Sequence, residues 1–188
     1  MNNILPLTGI RVIEFCHVAA GPFCAMLLAD MGADLIKVEP LEGDGLRAWP
    51  PHSDGFSENF ASINRNKRSI ALDLKSEEDL AIARRLILSA DAVVENNRPG
   101  VMQRLGLGYE SFKNEKPGLI YASISAFGQT GPRARDGGFD ITVQAASGVM
   151  SVTGDADSIP VKAGVPVSDF GAGLYAAFGI VSLLRRVE

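Results

Sequence analysis

The chain has 188 residues, a net charge of −4 and an apolar content of 46%, which predicts a single folded domain with a substantial core and excludes a largely disordered protein. The acidic balance disfavours a protein that binds nucleic acid, because such proteins are normally basic. Two cysteines and two histidines are too few for a disulfide framework or a Cys/His zinc site, so we expect no metal centre.

Strand-like and helical patterns alternate along the chain. In chain order, the predicted elements are a strand at 11–15, a helix at 22–31, strands at 34–38 and 70–74, a helix at 77–90, and strands at 92–95 and 119–123. Pro22 at the start of the first helix and Gly32 after its end are typical helix boundaries, and Ser76 is placed to cap the second helix. This alternation predicts an α/β fold with a parallel sheet and helices on both faces.

Two segments, one near each end of the chain, are relevant to the cellular location that we expect. The N-terminal residues lack the basic start and the continuous apolar run of a secretory signal. The uncharged stretch Phe170–Leu184 is 15 residues long, whereas a membrane span needs about 20, so we interpret it as a buried core helix. We therefore expect a soluble, cytoplasmic protein without a membrane partner.

Asp169 occupies the start of that apolar helix, shortly after Pro166. Free backbone N–H groups and the helix dipole favour a carboxylate at such a position. Spacing alone leaves two explanations open. One is an N-cap aspartate that stabilises the helix by about 1 kcal/mol, and the other is a reactive carboxylate.

Two further patterns also have both a functional and a structural explanation. Arg98 and Arg104 follow the strand at 92–95, at the sheet edge where α/β proteins bind ligands, and they could hold phosphates or be solvated surface charges. The run Gly171–Ala176 matches the dinucleotide fingerprint G-x-G-x-x-[GA]. Because no clear hydrophobic strand directly precedes it, close helix packing is the better explanation.

A cysteine nucleophile is a third possibility. Cys16 lies beside His17, and Cys24 falls near the start of the first predicted helix, where the pKa of a thiol can be lowered. Buried cysteines in an apolar helical setting are more often packing residues. The sequence contains neither a G-x-S-x-G nucleophile elbow nor a Walker A loop.

Five sequence blocks, spread in order from about Leu7 to the last residue, form a combined signature. They are GIRVIEFCHVAAGPFCAMLLADMGADLIKVEP, NRNKRSIALDLK, VENNRPGVMQRLG, FGQTGP and GVPVSDFGAGLYAAFG. Together they resemble the family III CoA-transferases, and the ordered set is far more specific than any single motif. The resemblance implies a Rossmann-like fold in which residues 1–188 form part of the family's large domain. The family's second, small domain and its C-terminal return segment have no counterpart in this sequence.

The resemblance implies a chemical role for Asp169, in the G-x-P-x-x-D block. In the family, this aspartate attacks an acyl-CoA thioester and passes through a mixed anhydride and an aspartyl-CoA thioester. The implied partners are an acyl-CoA and a carboxylic acid. CoA is then a substrate, no cofactor is tightly bound, and the active protein is a homodimer.

The resemblance also implies which residues contact CoA. Lys75 is expected to meet the phosphorylated ribose, and Arg98 and Arg104 the phosphates. An arginine that follows the I-K-x-E stretch in formyl-CoA transferase is replaced here by Pro40. The full implied set is Ala19, Ala20, Leu72, Asp73, Leu74, Lys75, Asn96, Asn97, Arg98, Arg104, Gly137, Gly138, Phe139 and Asp140.

Two alternatives to CoA transfer follow from the same resemblance. The related α-methylacyl-CoA racemases pair the aspartate with a histidine, and the matching position here is Phe139. A two-base proton transfer would therefore lack one partner, which favours the transferase. The second alternative is a non-catalytic CoA-binding fragment, because the expected cover for a reactive Asp169 anhydride is missing from the sequence.

Overall fold

A five-stranded parallel sheet forms the centre of the computed structural model, which describes residues 4–187. Residues 1–3 and Glu188 of the predicted domain 1–188 lie outside the described residues. The strands in chain order are β1 (Arg11–Phe15), β2 (Asp34–Glu39), β3 (His52–Ser53), β4 (Phe56–Ser57), β5 (Lys67–Ala71), β6 (Ala92–Glu95) and β7 (Ile120–Ser123). The sheet order is β5-β2-β1-β6-β7, and β3 and β4 form a separate antiparallel hairpin.

Helices connect the strands and cover both faces of the sheet. They are α1 (Ala20–Asp30), α2 (Glu58–Asn64), α3 (Glu77–Ser89), α4 (Val101–Arg104), α5 (Asp140–Ala146) and α6 (Val167–Val187). Short 3-10 helices lie at Gly45–Ala48, Tyr109–Ser111 and Val149–Val152. The Ser76 side chain caps α3 by accepting the N–H of Asp79. The predicted α/β fold with a parallel sheet between two layers of helices is confirmed.

The core is divided by the sheet into two layers. Alternate residues of a strand point to opposite faces. Val12 and Val94 pack in one layer with residues of α1 and α6, whereas Ile13 and Val93 pack in the other with residues of α3. Because both faces of the sheet are covered, neighbouring residues of β1 such as Val12 and Ile13 are both buried, although they point to opposite sides.

The strand order places a crevice at the carboxyl ends of the central strands. From β1 the chain builds the sheet outward through β2 and β5, and it then continues on the other side of β1 through β6 and β7. In open parallel sheets, ligands bind outside the carboxyl ends of the strands where the order reverses. Those strands are β1 and β6, so the residues after Phe15 and Glu95 border the expected site.

The strand β5, which is the third strand of the sheet in chain order, begins earlier than predicted. β5 spans Lys67–Ala71, whereas the alternating apolar residues suggested 70–74. Lys67 belongs to the strand because it pairs with Leu35 of β2, and its ammonium group lies 2.9 Å from the buried Glu14 carboxylate. The apolar alternation continues into Leu72–Lys75, which has already left the sheet and is free to border a cavity.

Four charged side chains are buried together beside β1. Lys37 Nζ lies 3.0 Å from Glu14 Oε1 and 2.9 Å from Asp44 Oδ2, and it donates to the Cys16 carbonyl at 2.7 Å. Lys67 Nζ lies 2.9 Å from the second oxygen of Glu14. Burial alone would lower the pKa of Lys37, but the Glu14 and Asp44 carboxylates outweigh it and raise that pKa. The cluster connects β1, β2 and β5 to the loop that follows β2.

α6 is longer and less buried than predicted. It spans Val167–Val187, whereas the sequence indicated a buried helix over Phe170–Leu184. One face, which includes Ile180, packs in the core with α1, but Tyr175 and Phe178 on the outer side are 79% and 71% exposed. The prediction of full burial is therefore wrong for this outer side. Among the residues that the structure describes, α6 alone has the length and apolar composition that could cross a membrane.

The contact between α1 and α6 depends on Gly173. A Cβ atom added there would lie 2.6 Å from the Ala20 carbonyl oxygen, so Gly173→Ala is expected to lower the free energy of unfolding by about 1–3 kcal/mol. Gly171, in the same helix, has open space at its Cβ position, and Gly171→Ala is expected to raise that free energy by about 0.5–1 kcal/mol. Urea denaturation of the two variants measures the difference, and equal stabilities would contradict the prediction.

Candidate active site at the sheet edge

Asp169 lies in a cavity of about 160 Å³ beside the crevice between β1 and β6. The starts of α1 and α6, the turn after β6 and the loop before α5 form its walls. The lining residues are Ala20, Asn96, Asn97, Arg98, Pro99, Ile124, Ser125, Ala126, Asp136, Gly137, Gly138, Val143, Ser168, Asp169 and Ala172. The fold thus brings together the predicted nucleophile and six of the residues predicted to contact CoA.

Asp140 holds the start of α6. Its Oδ1 atom accepts the backbone N–H of Ser168 at 2.8 Å and that of Asp169 at 3.4 Å. Asp169 itself is the third residue of α6 and not its N-cap, so the explanation of Asp169 as a capping residue is wrong. Because Asp140 supplies the cap, the Asp169 carboxylate is available to the cavity that it lines.

Burial raises the pKa of Asp169, and the nearby Asp140 carboxylate raises it further, to about 6. The sequence suggested the opposite effect, because a helix start stabilises negative charge. Desolvation and the like charge outweigh that effect here. A carboxylate with this pKa is mostly ionised at pH 7 and is a stronger base than an ordinary aspartate, which suits a nucleophile.

A second cavity, of about 650 Å³, lies on the other side of the crevice. The turn after β1, the loop after β2 and the segment Leu72–Lys75 form most of its lining. Asn97 borders both cavities. An extended ligand could therefore run from Leu72–Lys75 past Asn97 to Asp169.

The turn between β1 and α1 is strained and is held by side chains from other elements. Val18 has a φ of 62°, a left-handed conformation that costs a β-branched residue on the order of 1–3 kcal/mol. Its N–H donates to Asp44 Oδ1 at 3.3 Å. Asn96 exchanges two hydrogen bonds with the His17 backbone, at 3.0 and 2.8 Å, and Asn97 donates to the last carbonyl of β1 at 3.0 Å. These bonds fix the backbone that leads into the cavity.

The other residues predicted to contact CoA differ in their placement. Ala19, Arg104, Phe139 and Asp140 line neither of these two cavities. Phe139 is 73% exposed, Arg104 is exposed on α4, and Asp140 is engaged with α6. The Arg98 guanidinium borders Gly137, where an added Cβ atom would lie 3.1 Å from it.

The two cysteines are core residues. Both are buried free thiols, and burial raises their pKa values, that of Cys24 to about 12. A thiolate nucleophile is therefore contradicted, and the packing explanation holds. The run Gly171–Ala176 lies inside α6 and does not form a phosphate loop. Its Gly173 allows close packing against α1. Within residues 4–187, no cluster of His, Cys, Asp and Glu side chains is arranged to hold a metal ion.

Two residues that the sequence did not single out support the site. Gln144 is fully buried and bonded to Asp140, and Asp44 is buried and bonded to Val18 and Lys37. A glutamine four residues after an aspartate is a pattern that pairs on a helix surface. That spacing is the signal in the sequence that could have identified Gln144 as a partner of Asp140.

The model of CoA-transferase family III matches residues 7–188. The chain belongs to this family. The succinate–glutarate CoA-transferase of Agrobacterium fabrum is 49% identical, over 97% of this chain and 48% of that protein. The human succinyl-CoA:glutarate CoA-transferase is 43% identical, over 97% of this chain and 42% of that protein.

A solved structure shares the fold of this family III chain. The crystal structure of a CAIB/BAIF family protein from Brucella suis has a TM-score of 0.94 and 42% identity, over 98% of this chain and 50% of that one. The resemblance stated from the five sequence blocks is thus confirmed. The chain spans about half the length of the curated relatives it matches.

Proposed function

We propose that the protein transfers CoA from an acyl-CoA donor to a carboxylic acid, with Asp169 as its nucleophile. The observation that carries this proposal is a carboxylate of raised pKa, lining a cavity at the carboxyl edge of the sheet in a family III chain. The reaction converts one thioester and one free acid into another thioester and another free acid of similar total energy. For this reason the proposal includes no tightly bound cofactor.

The proposed reaction divides the exchange into balanced acyl transfers. The Asp169 carboxylate attacks the donor thioester, which forms a mixed anhydride and releases the CoA thiolate. The thiolate attacks the aspartyl carbonyl, which forms an aspartyl-CoA thioester and frees the donor acid. The acceptor carboxylate then attacks this thioester, and the released thiolate attacks the acceptor carbonyl of the second anhydride. The products are the new acyl-CoA and the regenerated Asp169 carboxylate.

The two cavities suggest how CoA lies. We assign the adenine and phosphorylated ribose to the larger cavity at Leu72–Lys75 and the thiol end to the cavity of Asp169, with Asn97 between them. In that placement the side chains of Asn96 and Asn97 position the turn after β1, to which they are hydrogen-bonded. Arg98, beside Gly137, then borders the path of the ligand near Asp169.

We propose a short dicarboxylic acid as the acceptor. The names of relatives at 49% and 43% identity specify succinate and glutarate, and a relative from Acetobacter aceti at 45% identity is an acetyl-CoA:oxalate CoA-transferase. Racemisation is disfavoured, because the described residues that line the cavity of Asp169 include no histidine.

We also propose that the protein is a homodimer. The outer side of α6 exposes Leu174, Tyr175, Phe178 and Leu183 to between 48% and 79%. A row of large apolar side chains of this kind is typical of a surface that a partner covers. A second copy of the chain is the partner that we propose.

Covalent trapping tests the proposed reaction directly. Incubation of the protein with succinyl-CoA, followed by hydroxylamine and peptide mass mapping, is expected to place a hydroxamate on Asp169. Asp157→Asn, which changes an exposed carboxylate in the segment before α6, is the matched control and should label normally. Label on any other residue, with labelling unchanged in Asp169→Asn, would contradict the proposal.

Loss of Arg98 is expected to weaken CoA binding. Arg98→Ala removes a guanidinium from the cavity lining, and loss of an ordered charge-assisted hydrogen bond costs about 1.5–3 kcal/mol. The double variant Arg98→Ala/Arg104→Ala should bind at least as weakly. Isothermal titration with CoA measures the effect, and Arg85→Ala, an exposed arginine on α3, is the control. Equal affinity of the wild type and the double variant would show that both arginines are surface charges.

A further inference from the structure

Gln144 is the one buried residue among the seven of α5. Its exposed fraction is 0%, at a position where packing alone would favour an apolar side chain. A buried amide is tolerated only when its polar atoms are hydrogen-bonded. Both ends of this amide are bonded, and one of the bonds leads to the start of α6.

The direction of these bonds is fixed by chemistry. The backbone N–H of Ala163 donates to Gln144 Oε1 at 2.8 Å. An N–H group can only donate, so the oxygen of the amide must face Ala163 and its NH₂ group must face Asp140. Gln144 Nε2 accordingly donates to Asp140 Oδ2 at 2.5 Å. The other Asp140 oxygen accepts the N–H groups of Ser168 and Asp169.

We propose that Gln144 is a positioning residue for Asp169, which it controls by fixing the orientation of the Asp140 carboxylate against the start of α6. The inference rests on the proposed function, in which Asp169 is the nucleophile. With one oxygen held by Gln144, Asp140 must direct the other oxygen to the first turn of α6. The bond to Ala163 holds the segment that leads into the same turn.

This arrangement gives Asp140 two effects that depend on its orientation. It anchors the backbone of Asp169, and it places a negative charge near the Asp169 carboxylate, which makes that carboxylate harder to ionise. The other charged residues that line the cavity are Arg98, from the turn after β6, and Asp136, from the loop before α5. α1 contributes only Ala20 to this lining. Release of Asp140 from Gln144 should therefore change both the rate and the pH dependence of attack by Asp169.

The test compares Gln144→Leu with the wild type. Rapid-quench trapping of the Asp169 adduct from succinyl-CoA is measured between pH 4.5 and 8. Gln144→Leu keeps a similar volume and removes both hydrogen bonds, so we expect adduct formation to slow about tenfold or more. We also expect the pH at half-maximal rate to fall by at least half a unit as Asp140 moves away. Gln103→Leu, at an exposed glutamine on α4, should leave both quantities unchanged.

Gln144→Glu provides a second variant of the same shape. In its acid form the new side chain can donate to Asp140 and accept from Ala163, whereas its ionised form repels Asp140. The neighbouring charges are Asp140, Asp169 at the start of α6, and Lys162, whose ammonium group binds the Ala163 carbonyl. The ratio of its rate to that of the wild type is therefore expected to rise as the pH falls from 8 to 5.

The outcomes separate the inference from the proposed function. If the wild type forms no adduct at Asp169, the proposed function fails. If the wild type forms the adduct, the inference is overturned when Gln144→Leu keeps the wild-type pH midpoint, because loss of packing alone slows the reaction without altering an ionisation. A pH profile of Gln144→Glu that runs parallel to the wild type overturns it as well, even if Gln144→Leu does not fold.

Discussion

Replacement of Asp169 by Asn is expected to abolish CoA transfer and at the same time to stabilise the fold at pH 7. The variant removes the proposed nucleophile, so the rate should fall by at least about a thousandfold. It also removes a carboxylate whose pKa is raised to about 6 by burial and by Asp140. The raised pKa means that the folded protein binds a proton at Asp169 more tightly than the unfolded chain does. Ionisation of Asp169 therefore destabilises the fold as the pH rises from about 4 to 6.

The size of the stabilisation follows from the same shift. Two pKa units correspond to about 3 kcal/mol, and partial solvent screening of the half-buried group reduces this to about 1–2 kcal/mol. Guanidinium denaturation at pH 7 and pH 4 measures it. Asp169→Asn should exceed the wild type in stability at pH 7 and match it more closely at pH 4. A variant that is less stable than the wild type at pH 7 would contradict the raised pKa.

The second large effect is a loss of stability that we expect when Lys37 is replaced. Lys37→Met leaves Asp44 without its ammonium partner in a buried position, and a buried charge that loses its partner typically costs about 3–5 kcal/mol. Glu14 is affected less, because Lys67 still pairs with it. The free energy of unfolding in urea is the measurement, and CoA affinity should fall with it, because Asp44 also holds Val18.

Two comparisons make the Lys37 result interpretable. Lys113→Met, which breaks an exposed pair with Glu110, should change stability far less than Lys37→Met, because solvent screens such a pair. Lys37→Met/Asp44→Asn removes the unpaired charge and should recover part of the loss. If Lys37→Met and Lys113→Met are equally stable, the buried cluster does not support the fold in the way described.

Much of the fold could be predicted from the sequence because its strands are short and distinctly apolar. β1 and β6 agree with the predicted bounds at both ends. β5 does not, because Lys67 pairs with Leu35 of β2 in the sheet and its side chain with Glu14, more than fifty positions earlier in the chain. Such long-range pairing is invisible to a local pattern of apolar residues. α5 has no local apolar pattern for a related reason, since its seven residues contain one buried side chain, and that one is polar.

Some features of the candidate site could likewise be predicted from the sequence, and others could not. Asp169 and the segment Leu72–Lys75 were predicted from sequence blocks, and both line cavities. The influence of Asp140 on Asp169 could not be predicted, because these residues are 29 positions apart and meet only when α5 packs beside α6. The same holds for the direction of the pKa shift at Asp169, since burial and a like charge are properties of the packed structure.

The strained turn at Val18 also determines when the crevice can form during folding. Its peptide groups are bonded to side chains 26 and 79 positions away in the chain, and without those bonds Val18 has no local reason to keep a left-handed conformation. The turn therefore cannot be prepared by its own segment and must await the assembly of β1, β2 and β6. Contacts of such long sequence separation require that loop-closure entropy is overcome before they can stabilise the turn. The backbone amides of His17 and Val18 should consequently lose their protection from solvent exchange whenever Asn96 or Asp44 separates from the turn.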